Sequence, residues 1–263
     1  MSDYLKINKL AWNQVVQKHF DSDFYNVRGF LEGIDPLNEP ELSLLGNINE
    51  KSLLHLQCHF GMDTLALAKR GATCTGVDFS EKAIEKAHVL SEMSKIPSSF
   101  ICKDIYSLKE EKLNSFDIVF TSYGTIGWLP DLDQWANIIS EHLKPGGLFV
   151  MADFHPLIWM FDENFSSFKF RYFNSGPIEE EESGSYADSK SSEKRKTIGW
   201  NHAISEILNS LIKAGLTIER FDEYDYSPYD CFSKCVEISN RKYRIEGFEN
   251  KLPMVYAIRA TKR

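Results

Sequence analysis

One aspartate and one short polar turn are the residues best placed to do chemistry in this chain. Leu53–Leu56 is an apolar run of the kind carried by a strand buried on both faces. Gln57–Gly61 follows as a tight turn, and Leu65, Ala66, Ala68 and Lys69 continue as a helix that Gly71 can stop in the left-handed conformation. Thr73–Asp78 reads as a second strand that ends in an acid. A strand, turn, helix and strand with a carboxylate about 20 residues past the turn place free helix N–H groups at the carboxyl end of the first strand. Asp78 then ends the neighbouring strand, where it can accept hydrogen bonds from two ribose hydroxyls. That chemistry is nucleotide or nucleoside binding, and several folds share the unit.

Three later segments narrow the choice. Phe100–Ile105 reads as a third strand ending in the acid Asp104. Phe116–Gly124 reads as a fourth strand running into a loop, and Leu143–Val150 as a helix end, a Lys-Pro-Gly-Gly turn and a fifth strand. In this order the pieces resemble the class I S-adenosylmethionine-dependent methyltransferases, of the small-molecule (type 11) kind, well over Lys51–Phe154 and in outline beyond. The resemblance implies an α/β, doubly wound, Rossmann-like fold. Its seven-stranded sheet is mostly parallel, with an antiparallel hairpin at one edge. The cofactor implied is S-adenosyl-L-methionine, and the reaction is methyl transfer to a small-molecule acceptor. The alternatives are a cofactor-binding sensor or pseudoenzyme without methyl transfer, and a dinucleotide oxidoreductase on the same plan.

The first motif of that family, acid-x-Gly-x-Gly-x-Gly, falls here on His55, Gln57, His59 and Gly61, so only the last glycine is kept. The loss of Gly-x-Gly argues against a pyrophosphate-bearing dinucleotide. The strand acid that usually helps hold the cofactor's ammonium group is absent at His55. Asp63 is the nearest replacement, and it is equally an anion favoured in a helix first turn. The resemblance assigns cofactor contacts to Gln57, Cys58, His59, Gly61, Asp63, Thr64, Asp78, Phe79, Asp104, Ile105, Ser122, Tyr123 and Gly124. Among them, Asp104 and the Ile105 N–H would meet the adenine, and Ser122–Gly124 would run along the methionine moiety. Phe79 would pack on the adenine or simply between strand and helix. His155, directly after the fifth strand, would sit at the mouth of the acceptor pocket as a proton acceptor, or would fix the loop before Pro156.

The 263 residues allow one large domain or one domain with an elaborated insertion, and 43% hydrophobic content is ample for a core. Net charge is −8 with no basic stripe, which argues against nucleic acid. No apolar run reaches membrane-spanning length, and the polar N-terminus is no signal peptide. The five cysteines lack metal spacing, so no metal is expected, and reduced thiols in a cytoplasmic protein are the expectation.

Residues 1–50 form an N-terminal helical segment, with Leu10, Trp12, Val15, Val16 and Phe20 on one face, expected to lie over the cofactor cleft; Tyr25 or Phe30 would close on the cofactor or pack against the sheet. The methyltransferase domain that the resemblance implies would span 51–263. Ser80 caps the helix after the second strand, and Asp131 caps another. A hairpin insertion falls near 161–200, with strands at Phe168–Phe173 and Thr197–Trp200. The acidic run Glu179–Glu182 reads as a solvated face. Asn201–Ala214 is an amphipathic helix. Leu216–Phe221 and Met254–Thr261 are the last two strands. The long aromatic connection 222–253 would wall the acceptor pocket or pack on the sheet edge. The oligomeric state is left open.

Overall fold

In the computed structural model, residues 3–188 and 191–263 are described. Met1 and Ser2, at the start of the N-terminal segment, and Ser189 and Lys190, in the hairpin insertion, lie outside the described residues.

Seven strands form one sheet in the order β3-β2-β1-β4-β5-β11-β8. They are β1 (Ser52–Leu56), β2 (Thr73–Asp78), β3 (Ser99–Cys102), β4 (Phe116–Ser122), β5 (Leu143–Phe154), β8 (Leu216–Tyr224) and β11 (Val255–Lys262). Only β11 runs against its neighbours, pairing antiparallel with both β5 and β8. The expected mostly parallel sheet with an antiparallel edge hairpin is therefore present. Helices cover both faces: α4 (Met62–Lys69) and α5 (Glu81–Ser94) on one side, α6 (Leu132–His142) and α7 (Ile204–Lys213) on the other. Before them come α1 (Asp3–Phe20), α2 (Val27–Glu32) and α3 (Glu39–Leu45).

The central strands are buried on both faces, as their unbroken apolar runs require; Leu53, Leu54 and Leu56 are fully enclosed. One core half packs Trp135, Ile139, Ile207 and Leu211 from α6 and α7 against the sheet. Burial of such a side chain stabilises the fold by about 1.5–3 kcal/mol. The other half joins Leu65, Leu90, Leu44 and Phe30. Ser80 and Asp131 cap α5 and α6, accepting from Ala83 N–H and Gln134 N–H.

Several boundaries differ from the sequence reading. The third strand stops at Cys102. Asp104 instead begins a 3-10 turn over Ile105–Glu110, because Lys103 N–H turns back to the Asp78 carbonyl (2.9 Å). The Lys-Pro-Gly-Gly segment lies within β5 as a bulge. Register jumps from Phe116↔Leu143 to Ile118↔Leu148, and Lys144 pairs with Asp117 at 2.9 Å. Leu10, placed on the apolar face of α1, is exposed, whereas Asn8 and His19 are buried.

The hairpin insertion is built from β6 (Ile178–Ser183) and β7 (Lys194–Gly199), not from Phe168–Phe173, which is irregular beyond one isolated bridge between Phe161 and Phe168. The acidic run is thus itself a strand. Its charge is met across the ladder by Lys196 to Glu179, Lys194 to Glu181 (each 2.7 Å) and Arg195 to Glu182 (2.9 Å). The 222–253 connection carries a further hairpin, β9 (Cys235–Ser239) with β10 (Lys242–Ile245), which periodicity did not reveal. Among the described residues no helix is long and apolar enough to cross a membrane, and no group of three or more His, Cys, Asp or Glu is placed to hold a metal ion.

Candidate active site

A cavity of about 1380 Å³ opens at the carboxyl ends of β1, β2, β4 and β5. This is the end of an open α/β sheet where ligands bind. Its floor is the turn from β1 into α4. Gln57, His59 and Gly61 all take the left-handed conformation, with φ of +54°, +52° and +75°. The glycine backbone of the motif survives although two of its glycines do not. A side chain in that conformation costs about 1–2 kcal/mol. Tertiary bonds hold the turn there. Cys58 N–H donates to the Val77 carbonyl (2.9 Å), His59 N–H to Asp78 Oδ2 (2.9 Å) and Gln57 Nε2 to the Thr125 carbonyl (2.8 Å). At Gly61 no side chain fits, since a Cβ would lie 2.5 Å from Phe100 Cε1.

His55 is buried, with Nδ1 2.8 Å from Thr64 Oγ1. Burial pulls its pKa down to about 3, so it is neutral in the place where the family carries an acid. Asp78 lines the cavity, and its carboxylate accepts from the His59 and Ser80 N–H groups, each at 2.9 Å. Burial raises its pKa to about 6 against the pull of those donors. Asp63 also lines the cavity and accepts from Ser122 Oγ at 3.3 Å; burial raises it to about 6 as well.

Of the expected cofactor contacts, the structure gathers Gln57, Cys58, His59, Gly61, Asp63, Asp78, Phe79, Ser122, Tyr123 and Gly124 around this one cavity. Thr64 stands behind it, bonded to His55. Asp104 and Ile105 are not part of its lining. Asp104 accepts from Ser107 Oγ at 3.3 Å, and Ile105 is buried in the core beside α6.

His155 is also outside the lining. Its Nδ1 accepts from Leu157 N–H (3.2 Å), and its Nε2 lies 3.0 Å from Glu223 Oε1 on β8. Both ring nitrogens are thus engaged at the sheet edge, and burial lowers its pKa although Glu223 opposes the shift. The geometry is that of an imidazole fixing the loop before Pro156, so the proton-accepting role is corrected to a structural one. His155→Ala is expected to destabilise the fold by about 1–3 kcal/mol through the unpaired groups it leaves, with no change in ligand affinity at the cavity. A urea titration alongside ligand calorimetry checks both; a large affinity loss in a stably folded variant would return His155 to the site.

Sequence reasoning missed two acids that shape the site. Asp153, at the end of β5, accepts from Gly124 N–H (2.5 Å), Thr125 N–H (3.2 Å), Thr125 Oγ1 (3.1 Å) and Phe154 N–H (2.7 Å). It thereby sets the loop after β4. Its signal was an acid closing a long buried strand, the pattern already used for Asp78. Glu41, on α3, is fully buried; Tyr123 Oη donates to its Oε2 (2.7 Å) and Asn38 N–H to its Oε1 (2.5 Å). The Asn38-x-x-Glu41 spacing is a capping signature that could have marked it.

Burial raises the Glu41 pKa to about 7, the Tyr123 hydroxyl and Asn38 N–H opposing. A carboxyl whose folded pKa is raised contributes stability below its ordinary pKa and loses it as pH rises through the folded one. Here that window runs from the ordinary carboxyl value of 4.5 to about 7. Glu41→Gln has no such titration. Its stability relative to the parent chain is expected to improve between pH 5 and 8, by up to about 3 kcal/mol at about 1.4 kcal/mol per pKa unit. Denaturant midpoints across pH check this; a flat difference would place the Glu41 pKa near its ordinary value.

Sheet order, turn and strand-end acid together define the class I methyltransferase fold. Residues 53–147 match the family model of the methyltransferase domain, in line with the sequence resemblance. The chain is 30% identical over 145 residues to the ubiquinone biosynthesis O-methyltransferase of Chromobacterium violaceum. That match spans 55% of the chain and only 60% of the relative's length. Among solved structures, the S-adenosylmethionine dependent methyltransferase from Mesorhizobium loti superposes with a TM-score of 0.57 at 20% identity, covering 88% of this chain and 100% of that one. The DhpI–SAH complex gives 0.59 at 12% identity, covering 98% and 96%. At these identities the structural likeness speaks for the fold.

Proposed function

We propose that this chain transfers a methyl group from S-adenosylmethionine to a nucleophilic atom of a small molecule. The observation that carries the reading is the Asp78 carboxylate, at the end of β2, facing the cavity beside the three left-handed positions of the turn, Gln57, His59 and Gly61. The residues present fit the cofactor. Asp78 can take the ribose diol, Phe79 the adenine, and Asp63 with Ser122 an ammonium group. When bound, the cofactor supplies a methyl made electrophilic by its sulfonium. The chain's own task is to align an acceptor with that methyl and to exclude water. The aromatic residues Trp12, Tyr25 and Trp128 line the cavity and serve the second purpose.

The volume exceeds the roughly 300–1,000 Å³ of ordinary small-molecule pockets, which suits a cofactor and an acceptor held together. The name of the Chromobacterium relative and the net charge of −8 favour a small acceptor over nucleic acid. The five unbridged cysteines are in keeping with a cytoplasmic place of action.

The side chains at Gln57 and His59 favour one competing reading, cofactor binding without transfer. Calorimetric titration with S-adenosylmethionine, S-adenosylhomocysteine and NADH, followed by an acceptor screen, separates the cases. Micromolar binding of the first two with acceptor-dependent turnover is the expected result. Binding without turnover across a metabolite pool would leave a sensor, and binding of NADH alone would point to an oxidoreductase.

A further inference from the structure

Beyond the end of β5, three aromatic rings make a corner of the cavity. Phe154 closes β5, Trp159 lies in the 3-10 turn Ile158–Met160, and Phe232 belongs to the 222–253 connection. Phe154 stands at 88° to Trp159 and at 84° to Phe232, with ring centroids 5.8 and 5.1 Å apart. Trp159 and Phe232 meet at 60° and 5.7 Å. All three line the cavity. Ser233 Oγ donates to the Glu163 carbonyl and so ties the segment after Trp159 to the one that carries Phe232. Phe154 also meets Tyr123 (5.6 Å), so the corner adjoins the loop after β4. Trp159 is 43% exposed, although so large a ring is ordinarily well buried.

The uncompensated charge around this corner is negative. Among the described residues, the lining holds three Lys or Arg side chains, and each is engaged. Lys169 pairs with Glu180 (3.2 Å) and Arg195 with Glu182 (2.9 Å). Arg241 donates to the Asp35 and Leu37 carbonyls (2.7 and 3.2 Å) and to that of Pro36. Glu163 and Asp230 line the cavity on the segments that carry Trp159 and Phe232, and no cation among the described residues pairs with either.

We infer that the methyl acceptor carries a positively charged ammonium group, seated in this corner. The inference rests on the methyl-transfer reading above and specifies its acceptor. A cation over the face of an aromatic ring is attracted by the ring's quadrupole, the more so where water is excluded. Rings set nearly at right angles let one cation meet several of them. The Glu163 and Asp230 carboxylates add a longer-range attraction from the cavity rim. An anionic acceptor would face the same carboxylates with no free Lys or Arg to offset them, and a neutral one would gain apolar contact alone.

Choline, 3,3-dimethylbutanol and 3,3-dimethylbutyrate share one branched shape and differ in charge. The test titrates each into the full chain by calorimetry, with and without S-adenosylhomocysteine. Choline is expected to bind about tenfold more tightly than the alcohol, and the carboxylate least tightly. Trp159→Leu keeps apolar contact and loses the aromatic face, so it should remove most of that advantage, whereas Trp159→Phe should keep most of it. Phe232→Leu should act in the same direction as Trp159→Leu, with thermal midpoints confirming that the variants fold. Equal affinities for choline and the alcohol, an advantage unchanged in both leucine variants, or no binding of choline would overturn the inference and, where S-adenosylhomocysteine binds, leave the methyl-transfer reading standing. Failure of S-adenosylhomocysteine to bind would remove that reading and the acceptor role with it, whatever choline does.

Discussion

Asp78→Ala is expected to lower affinity for S-adenosylhomocysteine by about 100- to 1,000-fold. A carboxylate that accepts from two ribose hydroxyls makes two charge-assisted bonds, each contributing about 1.5–3 kcal/mol. Partial replacement by water reduces their sum to about 3–4 kcal/mol. The carboxylate also holds the turn, because it accepts the His59 and Ser80 N–H groups. Its loss therefore damages both the ligand contact and the surface that receives the ligand. Asp78→Asn keeps the size and one acceptor, and should fall between the parent and the alanine variant. Titration calorimetry reads the affinity, and the thermal midpoint without ligand reads the fold. A change below about threefold in a stably folded Asp78→Ala would mean that the nucleoside lies elsewhere, and the proposed function would go with it.

Asp153→Ala should produce the largest loss of stability among these substitutions, about 3–5 kcal/mol. The side chain is almost fully enclosed and gathers five donors, four of them from the loop after β4. Each buried donor left without an acceptor costs about 1–3 kcal/mol, less whatever water recovers. The loop begins with Tyr123 and Gly124, directly after Ser122, and Tyr123 is already held at φ +38°, so its conformation depends on these bonds. Ligand affinity should fall together with stability, whereas His155→Ala should reduce stability alone. Urea denaturation with parallel calorimetry distinguishes the two patterns. If Asp153→Ala lost less than about 1 kcal/mol and kept its ligand, another element would have to be setting the loop.

Local rules were enough to read the strands and the strand-end acid of the proposed cofactor site. Apolar runs such as Leu53–Leu56 name a buried strand by themselves, because every residue of such a strand meets a helix layer. The spacing from the turn to Asp78 names the acid, because strand, turn, helix and strand have fixed lengths. The turn from β1 into α4 was legible only in part. Gln57 and His59 stand where glycines are expected, and nothing local reveals that the backbone keeps the glycine conformation. Bonds to Val77, Asp78 and Thr125, distant in sequence, enforce it.

The acidic run Glu179–Glu182 is mostly exposed, as a solvated face should be; that it also forms a strand was not legible, because a run of like charge says nothing about a basic partner at Lys194–Lys196. The role of His155 was misplaced because strand parity ends with β5 at Phe154; past that point Glu223 and Met254 decide where the ring goes. The sequence by itself determined the strands, their caps and the acid that ends β2, since these follow from periodicity and chain geometry over a few residues. Only the tertiary structure decided that His19 from α1 meets His59, that Glu41 holds Tyr123 and that Asp153 sets the loop after β4. Those contacts join segments far apart in the chain, and their energies depend on burial that no local pattern encodes.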